Sequence, residues 1–400
     1  MAEAAGDTKA PRLESLDALR GLAALSVVFW HWQHFWLLGT PLLTWRDGAE
    51  PDRTLEPLHP LLKIFYEYGH RAVDLFFVIS GFVFFFLYQK AIAEGAMSGG
   101  KFAALRFSRL YPMHLATLIA VAVLQALFLH ATGQHFVYEH NDAAHFTLNL
   151  FFINLMESSG FNGPTWSLTV EIAMYAVFWA LARAGALRGV WGCIAVFAIG
   201  IGFWFIYPPL GRGLCGFFAG GLIYKFYQAC IARADVKRIA RGALALAATS
   251  WAGLVFLVYR GAPAGLLNHL PAAAVRFLSH AGMAFVICYV VFPITVLAAA
   301  LCDRLARPNS RTLRLLGQIS YSSYLLHFPL QLLIALACVN GVLSLGLVHS
   351  AGMLLAFFVI LIPLSALAYA RFEMPAQRAL RKLLLHKPAT APGVLSTPSP

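Results

Sequence analysis

The sequence predicts an all-α fold, a polytopic membrane helical bundle of about ten spans with both termini cytoplasmic. Three observations carry this: composition, the recurrence of apolar runs, and the placement of basic residues. Of 400 residues, 60% are hydrophobic and 12% charged, against roughly 25% charged in a soluble domain. The apolar runs recur from one end of the chain to the other instead of forming a single anchor, so the bilayer is the solvent in which most of it folds.

Runs long enough for the roughly 20 residues that a bilayer requires fall near 17–38, 71–90, 110–132, 166–184, 190–206, 211–229, 241–259, 274–301, 319–339 and 345–369. Segment 144–157 is an eleventh candidate, but it is short and interrupted by Asn149 and Asn154, which suits a re-entrant or interfacial helix better than a crossing. The charges decide the count. With ten spans and the N-terminus inside, 23 of the 30 Lys and Arg lie on the cytoplasmic side and seven on the other, as the positive-inside rule requires. A full crossing by 144–157 would turn the three richest basic clusters outward. The net charge of +12 is thereby a matter of topology, and no nucleic-acid partner is expected. The inner (plasma) membrane is the expected location.

Residues 1–12 read as a disordered cytoplasmic N-terminus with no apolar core or cleavage site of a signal peptide. The membrane domain covers 13–385, and 386–400, rich in Pro, Ser, Thr and Ala, reads as a disordered cytoplasmic tail. The loop 39–70, with four prolines and five acidic residues, is either a cover for a site or a solvated connector. The six cysteines show no metal or disulfide spacing and read as small core hydrophobes; no metal is expected. Phe82, Phe84, Phe85 and Phe86 of span 2 read as lipid-facing, with an acyl tunnel as the alternative.

Polar groups at membrane depth are the candidates for function. Arg20 and His31 of span 1 are eleven residues apart and so share one helix face, separated by a rise of about 16 Å. Asp17 and His34 lie near the same line. Two readings stay open here: a snorkelling anchor with a packing histidine, or a polar stripe that faces the bundle interior. Arg106 and Arg109 are one turn apart at the cytoplasmic end of span 3; they are topological anchors or a pair able to grip phosphate. Glu171 lies five residues beyond Trp166 in span 4, within the bilayer. With His31 rising from the inside and Glu171 descending from the outside, the two depths overlap, and a carboxylate against the imidazole would fix its tautomer. Ser80 with Gly81 in span 2, and Tyr324 and His327 in span 9, are further polar or small groups at depth. Gly81 suits close helix packing.

These residues fall into an ordered set: Arg20 and His31; DLFFVISGF (Asp74–Phe82); RFSRLYP (Arg106–Pro112); GPTWSLTVE (Gly163–Glu171); and SYSSYLLHFP (Ser320–Pro329). In order and spacing the set resembles the acyltransferase type 3 family over roughly residues 13–385. The resemblance implies a membrane enzyme that O-acylates, most often O-acetylates, a polysaccharide, lipo-oligosaccharide or other glycan. It implies that His31 is the catalytic histidine with Arg20 its companion, that Glu171 is functional, and that Arg106 and Arg109 bind the donor, acyl-CoA. The expected partners are acyl-CoA, a glycan or lipid-linked saccharide acceptor and membrane lipid. An extracytoplasmic hydrolase-like domain of the kind some members carry is not expected from this sequence.

The mechanism expected is that His31 acts as general base on an acceptor hydroxyl, or is transiently acylated, with Glu171 or Asp17 orienting it. A proton-coupled secondary transporter, in which the intramembrane Arg, His and Glu serve as relay groups, is the alternative from another class; no inverted repeat of the kind common in such proteins is evident.

Overall fold

The computed structural model describes residues 13–41, 43–44, 51–154, 160–261, 281–306 and 309–385. Among them the regular structure is helical, with one isolated bridge between Thr44 and Val137. The two segments expected to be disordered, 1–12 and 386–400, lie outside the described residues.

Helix α1 (Glu14–His31) runs on as a 3-10 segment, Trp32–Gly39. There follow α2 (His59–Ala93), α3 (Gly99–Thr132), α4 (Ala143–Leu150), α5 (Gly163–Arg183), α6 (Trp191–Ile206), α7 (Pro208–Ile231), α8 (Val236–Arg260), α9 (Met283–Ala306), α10 (Arg311–Val339) and α11 (Ala351–Leu385). Eight of these are long and apolar enough to cross a membrane. The other two expected spans correspond to α1 with its 3-10 extension and to the 16-residue α6. Of the expected span 274–301, residues 274–280 lie outside the described set. Helix α4, at eight residues, rises only about 12 Å and is no crossing. Beyond it Phe152 stacks on His114 of α3 at 4.4 Å, and the Asn149 carbonyl meets His114 Nε2 at 2.8 Å. The segment therefore folds in against α3.

Local chemistry sets the helix ends. Ser98 and Ser310 cap α3 and α10 by accepting from Lys101 N and Leu313 N, and Gly133 ends α3 in the left-handed region at φ 74°, where a glycine has no Cβ to clash. Pro329 inside α10 cannot donate to the carbonyl of Leu325, four residues back. That carbonyl is taken instead by Asn162 Nδ2 at 3.1 Å. The break in one helix thus becomes the docking point for the loop that opens α5.

Small residues let the helices close up. A Cβ on Gly81 of α2 would lie 1.8 Å from the Phe217 carbonyl oxygen of α7, and one on Gly220 of α7 would lie 2.1 Å from the Val78 oxygen. Backbone thus meets backbone on both sides of that contact, the packing role expected of Gly81. Gly21 and Gly317 do the same between α1 and α10, against Leu316 and Asp17. The expectation that Phe82, Phe84 and Phe85 face lipid is overturned. All three are buried, and Phe84 stacks on Tyr175 at 4.5 Å with Phe217 edge-on at 5.5 Å. The α2–α7 contact turns this face inward, and a uniformly apolar run carries no periodic signal of which face that is. The six cysteines are free, four of them buried.

Asp74 of α2, fully buried, receives Arg212 of α7 through two bonds of 3.0 Å each, and the same guanidinium lies over the Trp166 ring at 4.8 Å. Removing one member of such a pair strands a charge, whereas replacing both with apolar groups does not. Asp74→Ala should lower stability by about 3–5 kcal/mol, and Asp74→Leu combined with Arg212→Met should recover most of that loss in thermal unfolding of the detergent-solubilised protein.

The loop before α2 is more than a solvated connector. Arg53 donates to Gln33 Oε1 and the Tyr66 carbonyl, both at 2.6 Å, and stacks on Trp30 at 4.3 Å. Glu56 is drawn in with it and is 7% exposed. Burial pushes the Glu56 carboxyl up to about 8, against the pull of Arg53 and with added repulsion from Glu67. The native state therefore keeps a proton that the unfolded chain releases near 4.5, so stability falls as pH rises between those values. Glu56→Gln should match wild type in melting temperature below about pH 4.5 and exceed it by a growing margin up to about pH 8. Parallel curves across that range would show that the Glu56 proton is not held.

Candidate active site

A cavity of about 60 Å³ lies inside the bundle between α1, α2, α3, α5 and α10. Its polar lining is Arg20 from α1, Ser80 from α2, Arg106 and Arg109 from α3, Ser167, Glu171 and Tyr175 from α5, and Ser320, Tyr321 and Tyr324 from α10. Four of the five residues singled out in the sequence, Arg20, Arg106, Arg109 and Glu171, therefore meet at one place. The polar stripe of α1 does face the interior.

Arg106 is 7% exposed. Its Nη2 donates to the Tyr88 hydroxyl at 2.6 Å, and its guanidinium lies over Phe84 and Tyr88 at 5.1 and 4.9 Å. Its Nε is buried with no hydrogen-bond partner among the described residues, and no carboxylate pairs with it there. Arg109 is held differently. It pairs with Glu373 of α11, a fully buried carboxylate whose second oxygen accepts from Ser322 Oγ at 2.5 Å, and it lies over the Tyr321 ring at 5.2 Å. Tyr88 and Glu373 each belong to a π turn, Phe85–Gln89 in α2 and Tyr369–Glu373 in α11. An extra residue in a helical turn shifts the phase of every residue after it. Both partners are thus beyond reach of a 3.6-residue reading, although Glu373 stands out as a lone acid beside the basic end of the last apolar run.

Glu171 accepts from the Tyr175 hydroxyl at 2.5 Å and from Ser80 Oγ at 3.3 Å. The Tyr324 hydroxyl is bonded to Ser167 Oγ and to the Pro164 carbonyl, both at 2.9 Å. Three guanidiniums, Arg20, Arg106 and Arg109, thus line the cavity together with the Glu171 carboxylate and a set of hydroxyls, and the Glu373 carboxylate lies behind Arg109.

His31 is not in the cavity lining, and the expected contact with Glu171 is not made. Its Nδ1 meets His327 Nε2 of α10 at 3.0 Å, with the rings near parallel at 18° and 4.9 Å between centroids. Gln331, one turn further along α10, donates to the His31 carbonyl and meets His34 Nδ1, both at 3.0 Å. His31, His34, His327 and Gln331 are all buried. The partner of the His31 ring thus comes from α10, and is neither Glu171 of α5 nor Asp17, because the Gly21 and Gly317 contacts bring α1 against α10 along its length. The histidine cluster and the cavity share a wall in Tyr324, whose ring lies 5.9 Å from that of His327.

Among the described residues, one group of potential metal donors, His140, Asp142 and His145, has ligand atoms within 4.8 Å of one another. It is exposed around the start of α4, and none of the three lines the cavity.

Comparison with known proteins identifies the family. The model of the family described as "Acyltransferase domain" matches residues 13–370. Protein 2 in the picA locus of Rhizobium radiobacter is 30% identical over 201 residues, which is 46% of this chain and 88% of that protein. Acyltransferase MdmB of Streptomyces mycarofaciens is 31% identical over 199 residues, 48% of this chain and 45% of its own length. No solved structure matches. With a family match that spans nearly all of the membrane bundle and every element lining the cavity, the chain belongs to the acyltransferase type 3 family.

Proposed function

We propose that the protein is an integral inner-membrane O-acyltransferase that moves an acyl group, acetyl by its frequency in the family, from acyl-CoA to a hydroxyl of a surface polysaccharide, lipo-oligosaccharide or other glycan. The observation that carries the reading is the cavity lined by Arg20, Arg106 and Arg109, with Tyr324 in its wall beside the buried His31–His327 pair. An acyl-CoA brings phosphates, which guanidiniums hold in charge-assisted pairs, and an acceptor hydroxyl needs a base, which imidazole supplies.

In this mechanism Arg106 and Arg109 take the anionic part of the donor, with Arg106 the freer of the two because Glu373 already occupies Arg109. His31 removes the proton of the acceptor hydroxyl as its oxygen attacks the thioester carbonyl; the tetrahedral oxyanion forms, the C–S bond breaks, and the proton passes from His31 to the departing thiolate. A transient acyl-His31 reaches the same products in two steps. Arg20 and Arg106 are the cavity groups best suited to meet charge that develops there, because the Tyr175 and Tyr324 hydroxyl protons are already given to Glu171 and the Pro164 carbonyl. Glu171, held by Ser80 and Tyr175, orients that hydroxyl set.

With radiolabelled acetyl-CoA and a crude host glycan fraction, the purified protein in lipid should transfer label to glycan, and His31→Ala should reduce that transfer by about 10² to 10⁴-fold. Wild-type transfer by a His31→Ala protein inserted at normal level would overturn the role of His31. Arg106→Ala should raise the Kd for acetyl-CoA by about 10-fold or more, the effect of losing one charge-assisted bond, with a smaller change in the rate of the bound complex. Arg109→Ala should in addition lower folded yield, because it leaves the Glu373 carboxylate buried and unpaired.

A further inference from the structure

We infer that His327 is the positioning residue of His31, in the place that a carboxylate holds in most base–orienter pairs. The inference rests on the acyltransferase reading for its chemistry, but its geometry stands apart from that reading. His31 Nδ1 and His327 Nε2 are 3.0 Å apart, a full hydrogen bond that needs one N–H between them. A neutral imidazole offers one donor and one acceptor nitrogen, so only two arrangements exist. In one, His31 carries its proton on Nδ1 and donates to His327, which leaves the Nε2 lone pair of His31 open to take a proton. In the other, His327 donates, His31 is protonated on Nε2, and it cannot act as a base through that atom. The first is the competent state; it requires His327 to accept on Nε2 and so to carry its own proton on Nδ1, which is buried with no hydrogen-bond partner among the described residues, and it is this accepting role that the inference assigns to His327.

The surroundings hold this pair in register. His327 is fully buried, its ring lies almost parallel to that of His31, and Gln331 on the same face of α10 pins the His31 carbonyl at 3.0 Å. Close approach at Gly21 and Gly317 sets the spacing of the two helices, and the Leu325 carbonyl freed by Pro329 ties α10 to Asn162 two residues before His327. Among the described residues no carboxylate hydrogen-bonds the His31 ring, and Glu171 is taken up by Ser80 and Tyr175. When His31 accepts the hydroxyl proton on Nε2, its Nδ1–H bond to His327 becomes charge-assisted and strengthens. The proton on Nε2 then goes to the leaving thiolate, and the pair returns to its starting state with nothing consumed.

Three variants and two readouts test this. His327→Leu, which cannot accept, should lower kcat by about 10-fold or more while the KM for acetyl-CoA stays near wild type. His327→Gln and His327→Asn, which present a carbonyl acceptor, should regain part of that loss. Equal losses of folded protein in all three, with unchanged specific activity of what remains folded, would reduce His327 to a packing residue and overturn the inference. The second readout needs no turnover. In ¹⁵N NMR of histidine-labelled protein, the signals that disappear in His31→Ala should show the Nδ1–H tautomer in wild type and its loss in His327→Leu. An Nε2–H tautomer in wild type would overturn the inference directly. If the wild-type protein transfers no acyl group, the acyltransferase reading fails, and the tautomer still decides the positioning role.

Discussion

A charge buried away from water is costly unless it is paired or hydrogen-bonded, and this chain buries Arg106, Asp74 and Glu373 at 7% exposure or less. The rest of the bundle depends on how those charges are made tolerable. Asp74 and Arg212 neutralise one another between α2 and α7. Arg109 and Glu373 do so between α3 and α11. Helices that carry such pairs must be neighbours, which constrains the arrangement of a membrane bundle more tightly than apolar packing, because lipid tails are as apolar as leucine. Arg106 has no carboxylate among the described residues, and aromatic faces with one phenolic hydroxyl give it what support it has. The incompletely paired cation lines the cavity, where an anionic ligand would complete it.

The same accounting explains why the polar motifs lie together although they are far apart in sequence. Pro329 releases a carbonyl on α10, and Asn162 takes it. Tyr324, one turn before, bonds to Ser167 and to the Pro164 carbonyl. Arg212 lies over Trp166 while it pairs with Asp74. The segment that opens α5 is therefore fastened to α10 on one side and to the α2–α7 pair on the other, and Glu171 comes one turn later in a position that these bonds define. In water such groups could be satisfied by solvent. Within the bundle each must find a partner, and the partners become the scaffold of the site.

Much of the fold is legible from residue order. Each of the ten apolar runs has a helical counterpart among the described residues, and the described part of the short run at 144–157, up to residue 154, folds in as α4 and the turn after it. The shared face of Arg20 and His31, eleven residues apart, is a consequence of helix geometry, and both do face the interior. Which helix lies opposite is not legible. A stripe on α1 says that something polar faces it, and the partners expected for His31 from sequence are Glu171 and Asp17, not His327; the Gly21 and Gly317 contacts with α10 decide it, and a glycine pattern does not name its neighbour. The π turns that aim Tyr88 and Glu373 have no simple residue signature, and the phenylalanines of α2 turn inward without warning because an unbroken apolar run has no period to mark its buried face. Charge asymmetry and spacing report on single elements, whereas pairings between helices depend on contacts that no one segment encodes.

Under the proposed mechanism, the division between the arginine-lined cavity and the His31–His327 pair has a physical reason. An imidazole that must gain a proton beside three guanidiniums meets like charge at the moment it acts, and in a medium of low dielectric that repulsion is large. A carboxylate placed against His31 to offset it would itself be drawn toward the arginines, as Glu373 is toward Arg109. In the proposed mechanism, setting His31 behind Tyr324, with a second imidazole as its proposed acceptor, separates the group that would change charge from the groups that would keep theirs. The cations would then be able to hold a polyanionic donor without holding a proton away from the base. The hydroxyls of Tyr175, Tyr324, Ser80 and Ser167 lie between the two, and their protons go to Glu171 and to the Pro164 carbonyl, so they hold the wall of the site in place without adding charge to either side.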